Sequence, residues 1–136
     1  MNISSLGTVH HIGVVTYDIQ KTANFYTSIG YKEVVGGYDP CQNVYGYFFE
    51  KEGCPTIELL APYNEQSPIN KILSKNGVTP YHLCYEVEGG LEDAIAELRK
   101  NNFILISRPT VSENLSRKKV CFLFHKDVGI VELLGL

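Results

Sequence analysis

The sequence predicts an α+β fold built from two tandem β-α-β-β-β modules. Three observations predict it. First, His11-Ile12-Gly13-Val14-Val15 and His82-Leu83-Cys84-Tyr85-Glu86-Val87 each open an extended, alternating stretch with a histidine. Second, each stretch is followed by an amphipathic helical pattern and then by β-rich sequence. Third, the halves end almost identically, on Ile57-Glu58-Leu59-Leu60 and Val131-Glu132-Leu133-Leu134. The spacing agrees, with 47 positions from His11 to Glu58 and 50 from His82 to Glu132. Similar order, length and ends in both halves mark a duplicated unit.

The elements follow in order. The first module, 9–62, has strands expected at 9–15, 32–36, 43–51 and 55–61. Its helix takes Asp18 as N-cap, has Ile19, Ala23, Tyr26 and Ile29 as its apolar positions, and stops at Gly30. The joint, 63–79, carries Ser67-Pro68, an N-cap and first-turn signature, and Gly77 as its stop; it reads as a short helix. The second module, 80–136, has strands expected at 80–87, 103–107, 118–125 and 129–134. Its helix places Leu91, Ala94, Ile95 and Leu98 on one face and ends near Asn101-Asn102. Residues 1–136 together form a single domain.

Composition narrows the function classes. Twelve Lys and Arg against fifteen Asp and Glu leave a formal charge of −3, the wrong sign for nucleic-acid binding. An apolar content of 44% with 20% charged residues excludes a disordered or fibrous chain. The longest apolar run, Val120-Cys121-Phe122-Leu123-Phe124, is far short of the ~20 residues of a membrane span. No export signal precedes the first strand, so a soluble, cytoplasmic protein is expected. Cys41, Cys54, Cys84 and Cys121 form no CxxC pair and read as reduced, structural thiols.

Strand alternation places the side chains that could do chemistry. Ile12 and Val14 share the face that suits the helix, and His11 points the other way. In the second module Leu83, Tyr85 and Val87 face the helix, opposite His82. Glu58 and Glu132 are each the lone charge between apolar neighbours, on the face away from those neighbours. A carboxylate in such a strand is costly to bury unless it is paired, protonated or metal-bound. Modules packed side by side would bring two His and two Glu into one bowl, an N₂O₂ set suited to a divalent first-row metal. His10 and His125 read as structural or surface residues, and Arg117-Lys118-Lys119 as a solvated strand entry.

With these residues in place, residues 8 to 136 resemble the vicinal-oxygen-chelate superfamily. Ile57-Glu58-Leu59-Leu60-Ala61-Pro62, Ser67-Pro68-Ile69 and Phe124-His125-Lys126-Asp127-Val128-Gly129-Ile130-Val131-Glu132-Leu133 are similar to its glyoxalase I and methylmalonyl-CoA epimerase branch. The resemblance implies the glyoxalase/bleomycin resistance/dioxygenase fold, an open mixed β-sheet curled around a metal. It implies His11, Glu58, His82 and Glu132 as ligands and Glu132 and Glu58 as catalytic carboxylates. Nickel or cobalt is the expected metal, with zinc or manganese also suited. The expected partners are a small thiol adduct or thioester and a second copy of the chain, with no nucleic acid and no membrane.

Two departures steer the choice of reaction. Epimerases of this kind carry an extra catalytic carboxylate on the third strand of the first module, where Gly46 stands here. They also often pair two histidines before the second metal-binding strand, where Tyr81 precedes His82. These absences favour a lactoylglutathione-lyase-like (glyoxalase I type) isomerisation over a methylmalonyl-CoA epimerase-like acyl-CoA epimerase. A metal-free protein that sequesters a small molecule such as an antibiotic would use Tyr45, Tyr47, Phe48 and Phe49 as stacking surfaces. An iron-dependent extradiol dioxygenase would need only His11, His82 and Glu132, leaving Glu58 surplus.

Overall fold

A computed structural model describes residues 1–136, with three α-helices, nine strands and one 3-10 turn. The chain divides into two compact units, His11–Tyr81 and a second made of Met1–His10 with His82–Leu136.

In the unit His11–Tyr81, strand β1 (Leu6–Val15) contributes its second half. That half pairs in parallel with β4 (Ile57–Pro62), in the register Ile12↔Ile57 to Val15↔Leu60. β4 runs antiparallel to β3 (Val44–Glu50), and β3 antiparallel to β2 (Lys32–Asp39). Helix α1 (Ile19–Ser28) begins where the Asp18 side chain accepts a hydrogen bond from the Lys21 amide at 3.2 Å. It gives way at Gly30, whose φ of +104° is open to glycine without the Cβ penalty. Ala23, with Ile19 and Tyr26, covers Val14, Phe49, Ile57 and Leu59 on one face of the sheet. Helix α2 (Ile69–Asn76) packs Ile69 and Leu73 against Val15, Val44 and Leu60, which point the opposite way. One point differs from expectation here. Ser67 does not cap α2 with its side chain: its hydroxyl is buried without a hydrogen-bond partner, and its carbonyl instead accepts from the Asn70 amide. Pro68 sits in helical φ and ψ and opens the first turn itself.

In the other unit, β5 (Thr79–Val87) pairs from His82 onward in parallel with β9 (Gly129–Gly135). β9 is antiparallel to β8 (Lys118–His125). Helix α3 (Leu91–Lys100) buries Leu91, Ala94, Ile95 and Leu98 against Cys121, Leu123, Val131 and Leu133. Glu92 and Asp93 in its first turn and Arg99 and Lys100 in its last turn complement the helix dipole. The strand expected at 103–107 is shorter, β6 (Ile104–Leu105), and a further strand, β7 (Thr110–Ser112), also pairs with β8. Pro109 lies between them; it lacks an amide and restricts Arg108, so one continuous ladder is interrupted there. Cys84 and Cys121 are buried, and none of the four cysteines forms a disulfide. Burial, then the nearby Glu132 and Glu92 charges, push the Cys121 thiol up to about 12, so it packs as a protonated, apolar group.

The chain start is fastened to α3. Ser5 donates its hydroxyl to Glu97 Oε1 at 2.6 Å and its amide at 2.9 Å, and Ser4 donates to both carboxylate oxygens. These donors hold the Glu97 carboxyl down at about 2. A carboxyl lowered on folding stabilises above its ordinary range, and the stabilisation is lost as pH falls toward the folded value. The melting-temperature gap between the protein and its Glu97→Gln variant is therefore expected to narrow from pH 5 to pH 2. A constant gap contradicts this fastening.

Candidate metal centre

Each unit holds one histidine–glutamate pair on neighbouring parallel strands. In His11–Tyr81, His11 Nε2 lies 3.1 Å from Glu58 Oε1. In the other unit, His82 Nε2 lies 3.0 Å from Glu132 Oε1. The expected site residues are therefore brought together two by two, and the two pairs match. His11 is fully buried, and the Glu132 side chain is 3% exposed against 13% for Glu58. Each pair sits on the sheet face opposite the residues that cover the helix, because Ile12 and Val14 face α1 while Tyr85 and Val87 face α3.

The strands fix these contacts through register. Glu58 lies across from Gly13 on β1 and Phe48 on β3. Glu132 lies across from Cys84 on β5 and Phe122 on β8. The two phenylalanines turn their rings edge-on to the histidines, Phe48 to His11 at 4.9 Å and Phe122 to His82 at 5.3 Å between centroids. Each ring wedges its imidazole from the side and screens it from water. Strand alternation alone does not reveal this role. The signal was present, since each phenylalanine stands ten residues before its glutamate.

The donor chemistry fits a divalent cation. Two neutral imidazoles and two carboxylates are hard-to-borderline ligands for first-row metals. With bonds of about 2.1 Å, ligands at right angles are about 3.0 Å apart, and tetrahedral ligands about 3.4 Å. The 3.1 and 3.0 Å separations within the pairs match the right-angled case. They equally suit a close imidazole–carboxylate contact within each pair.

The other expected positions resolve plainly. His125 is buried, but its Nδ1 accepts the Asp127 amide at 3.0 Å and its ring packs on Phe103, a structural role. Arg117 pairs with Glu113 in an exposed bridge of 2.9 Å. The aromatic run on β3 is split by alternation. Tyr47 and Phe49 join the α1 core, Phe48 meets His11, and Tyr45 stacks outside with Tyr38 and Tyr63. These side chains do not line one stacking pocket.

Comparison with known proteins fixes the family. Residues 10–122 match the model of the Glyoxalase/Bleomycin resistance protein/Dioxygenase superfamily. The chain belongs to this superfamily. Among curated relatives in it, mitochondrial methylmalonyl-CoA epimerase of Homo sapiens is 30% identical over 97% of this chain and 76% of its own length. The ethylmalonyl-CoA/methylmalonyl-CoA epimerase of Cereibacter sphaeroides is 30% identical over 94% of this chain and 97% of its own. The crystal structure of methylmalonyl-CoA epimerase from Mycobacterium tuberculosis superposes with a TM-score of 0.84, covering 98% of this chain and 91% of that one at 23% identity. The expected superfamily fold is thereby confirmed.

The expected reaction is corrected. The relatives are epimerases, so the lactoylglutathione-lyase-like assignment to this superfamily member does not stand, and the preference for nickel falls with it. The assignment rested on the missing carboxylate at Gly46. In the structure the Glu58 carboxylate itself lies against Gly46, with Oε2 3.1 Å from where a Cβ would be. A carboxylate is therefore present beside that part of β3, supplied by β4. Among the helices, none is long and apolar enough to cross a membrane.

Proposed function

We propose that the protein is a divalent-metal-dependent epimerase of a 2-substituted malonyl thioester of the acyl-CoA type, with His11, Glu58, His82 and Glu132 as its ligand set. The observation that carries the reading is the matched pair of buried His–Glu contacts, 3.1 and 3.0 Å, one on each duplicated strand pair. Each of the four residues offers one ligand atom. Support for the substrate class comes from relatives named as methylmalonyl-CoA and ethylmalonyl-CoA epimerases, aligned over nearly the whole chain.

A bound divalent cation would supply Lewis-acid polarisation of the thioester carbonyl, which makes the adjacent C–H more acidic. The chain's own groups do the rest. His11 and His82 stand beside the two carboxylates, with Nε2 3.1 and 3.0 Å from the glutamate Oε1 atoms, and would share the cation with them. One glutamate takes the α-proton, the C–H electron pair moving to the thioester carbonyl oxygen as an enolate forms. The other glutamate, in its protonated form, returns a proton to the opposite face of the α-carbon. Glu132 and Glu58 are suited to this exchange of roles, because they come from equivalent strands of the two modules. Phe48 and Phe122 pack edge-on against the histidines and fix their rings.

The test uses protein stripped by a chelator and a single epimer of methylmalonyl-CoA or ethylmalonyl-CoA. Adding cobalt, manganese or zinc is expected to start interconversion of the epimers, and renewed chelation to stop it. No interconversion of either thioester with any of the three cations overturns the proposal.

A further inference from the structure

On the face of β3 that meets His11, Val44 and Phe48 are buried side chains and Gly46 stands between them. Its backbone does not require glycine, since it is not among the glycines with positive φ. A glycine inside a strand weakens the strand, and it marks a place where something approaches closely. Here the approaching group is identified. A Cβ at position 46 would lie 3.1 Å from Glu58 Oε2 and 3.4 Å from Leu60 Cδ2. The first contact is shorter than the ~3.5 Å optimum for non-bonded heavy atoms. A side chain at 46 therefore requires the Glu58 carboxylate to give way by a few tenths of an ångström.

We infer that Gly46 is a positioning residue whose missing side chain lets Glu58 lean over β3, with Oε1 at His11 and Oε2 above the glycine, and that this is the pose in which Glu58 moves the α-proton. The inference rests on the epimerase reading above. It makes Glu58 the counterpart of Glu132 with a different support: Glu132 is enclosed, and Glu58 is the more accessible carboxylate because β3 leaves space beside it. Gly46 acts only through Glu58, so a double-mutant cycle isolates the effect.

Gly46→Ala is expected to lower kcat for epimerisation at least tenfold with KM changed less than twofold. In a Glu58→Gln background, where Glu132 can still exchange the α-proton from one face, the same alanine is expected to change exchange less than twofold. Glu58→Asp withdraws the carboxylate from β3 with the glycine kept, and is expected to lose at least tenfold in kcat while still binding cobalt. A readout independent of turnover is the visible spectrum of the cobalt-loaded protein. Gly46→Ala should shift its bands when Glu58 is present and leave them unmoved in Glu58→Gln. Equal losses in both backgrounds, or an unaltered kcat and spectrum in Gly46→Ala and Glu58→Asp, overturn the inference. If the unaltered protein turns over no thioester, the proposed function fails, and the cobalt spectra alone decide the role of Gly46.

Discussion

Glu132→Gln is expected to lower epimerisation by about 10²–10⁴-fold, the range that a positioned acid or base contributes. Glu132 is almost wholly buried and its Oε1 lies 3.0 Å from His82 Nε2. Glutamine has nearly the same shape and keeps a carbonyl oxygen that can accept from the imidazole. It loses the charge and the capacity to take a proton. Its position in β9, between the core residues Val131 and Leu133, is unaffected by the change. The variant should thus unfold within a few degrees of the unaltered protein while turning over poorly. Chiral analysis of the thioester and a thermal melt check the two halves of this statement. A loss of less than threefold contradicts the assignment of Glu132 to proton transfer.

His82→Ala carries the second large effect, on cation affinity. Losing an outer partner of a metal ligand typically costs 10–100-fold. Losing the ligand itself is expected to cost at least about 100-fold in the cobalt or manganese dissociation constant, measured by calorimetric titration. The same change takes from buried Glu132 the imidazole 3.0 Å away. Removing one hydrogen-bond partner from a buried polar group costs about 1–3 kcal/mol, so the metal-free variant should also melt earlier. His125→Ala is the matched control. His125 is also buried, but its contacts are the Asp127 amide and Phe103. It should lower the melting temperature and leave cation affinity unchanged. If both variants bind the cation as the unaltered protein does, the ligand set is wrong.

The pairs that make up the candidate centre were legible in the sequence because each histidine and glutamate interrupts an apolar strand, and because the interruption occurs twice. The period of two that sends Ile12 and Val14 toward α1 sends His11 the other way, and the same logic holds for His82. Phe48 and Phe122 were not legible by that route. An aromatic on a strand reads as ordinary core, and only the cross-strand register reveals that each faces a glutamate. β7 is not legible because Thr110-Val111-Ser112, beyond Pro109, is too short to show a period of two. Ser67 had the right residue type for a cap, yet its hydroxyl turned inward. The reaction is hidden in the sequence for a related reason. Gly46 looked like a missing carboxylate in one dimension, and in three dimensions the Glu58 side chain fills the space beside it.

Exchange of the α-proton with solvent tests the central claim most directly. A single epimer of methylmalonyl-CoA is incubated with the cobalt-loaded protein in D₂O, and the thioester is weighed by mass spectrometry. The account predicts a gain of one deuteron at the α-carbon, found in both epimers, and in Glu132→Gln a label confined to one epimer with no interconversion. A thioester that stays unlabelled in the presence of bound cation contradicts it.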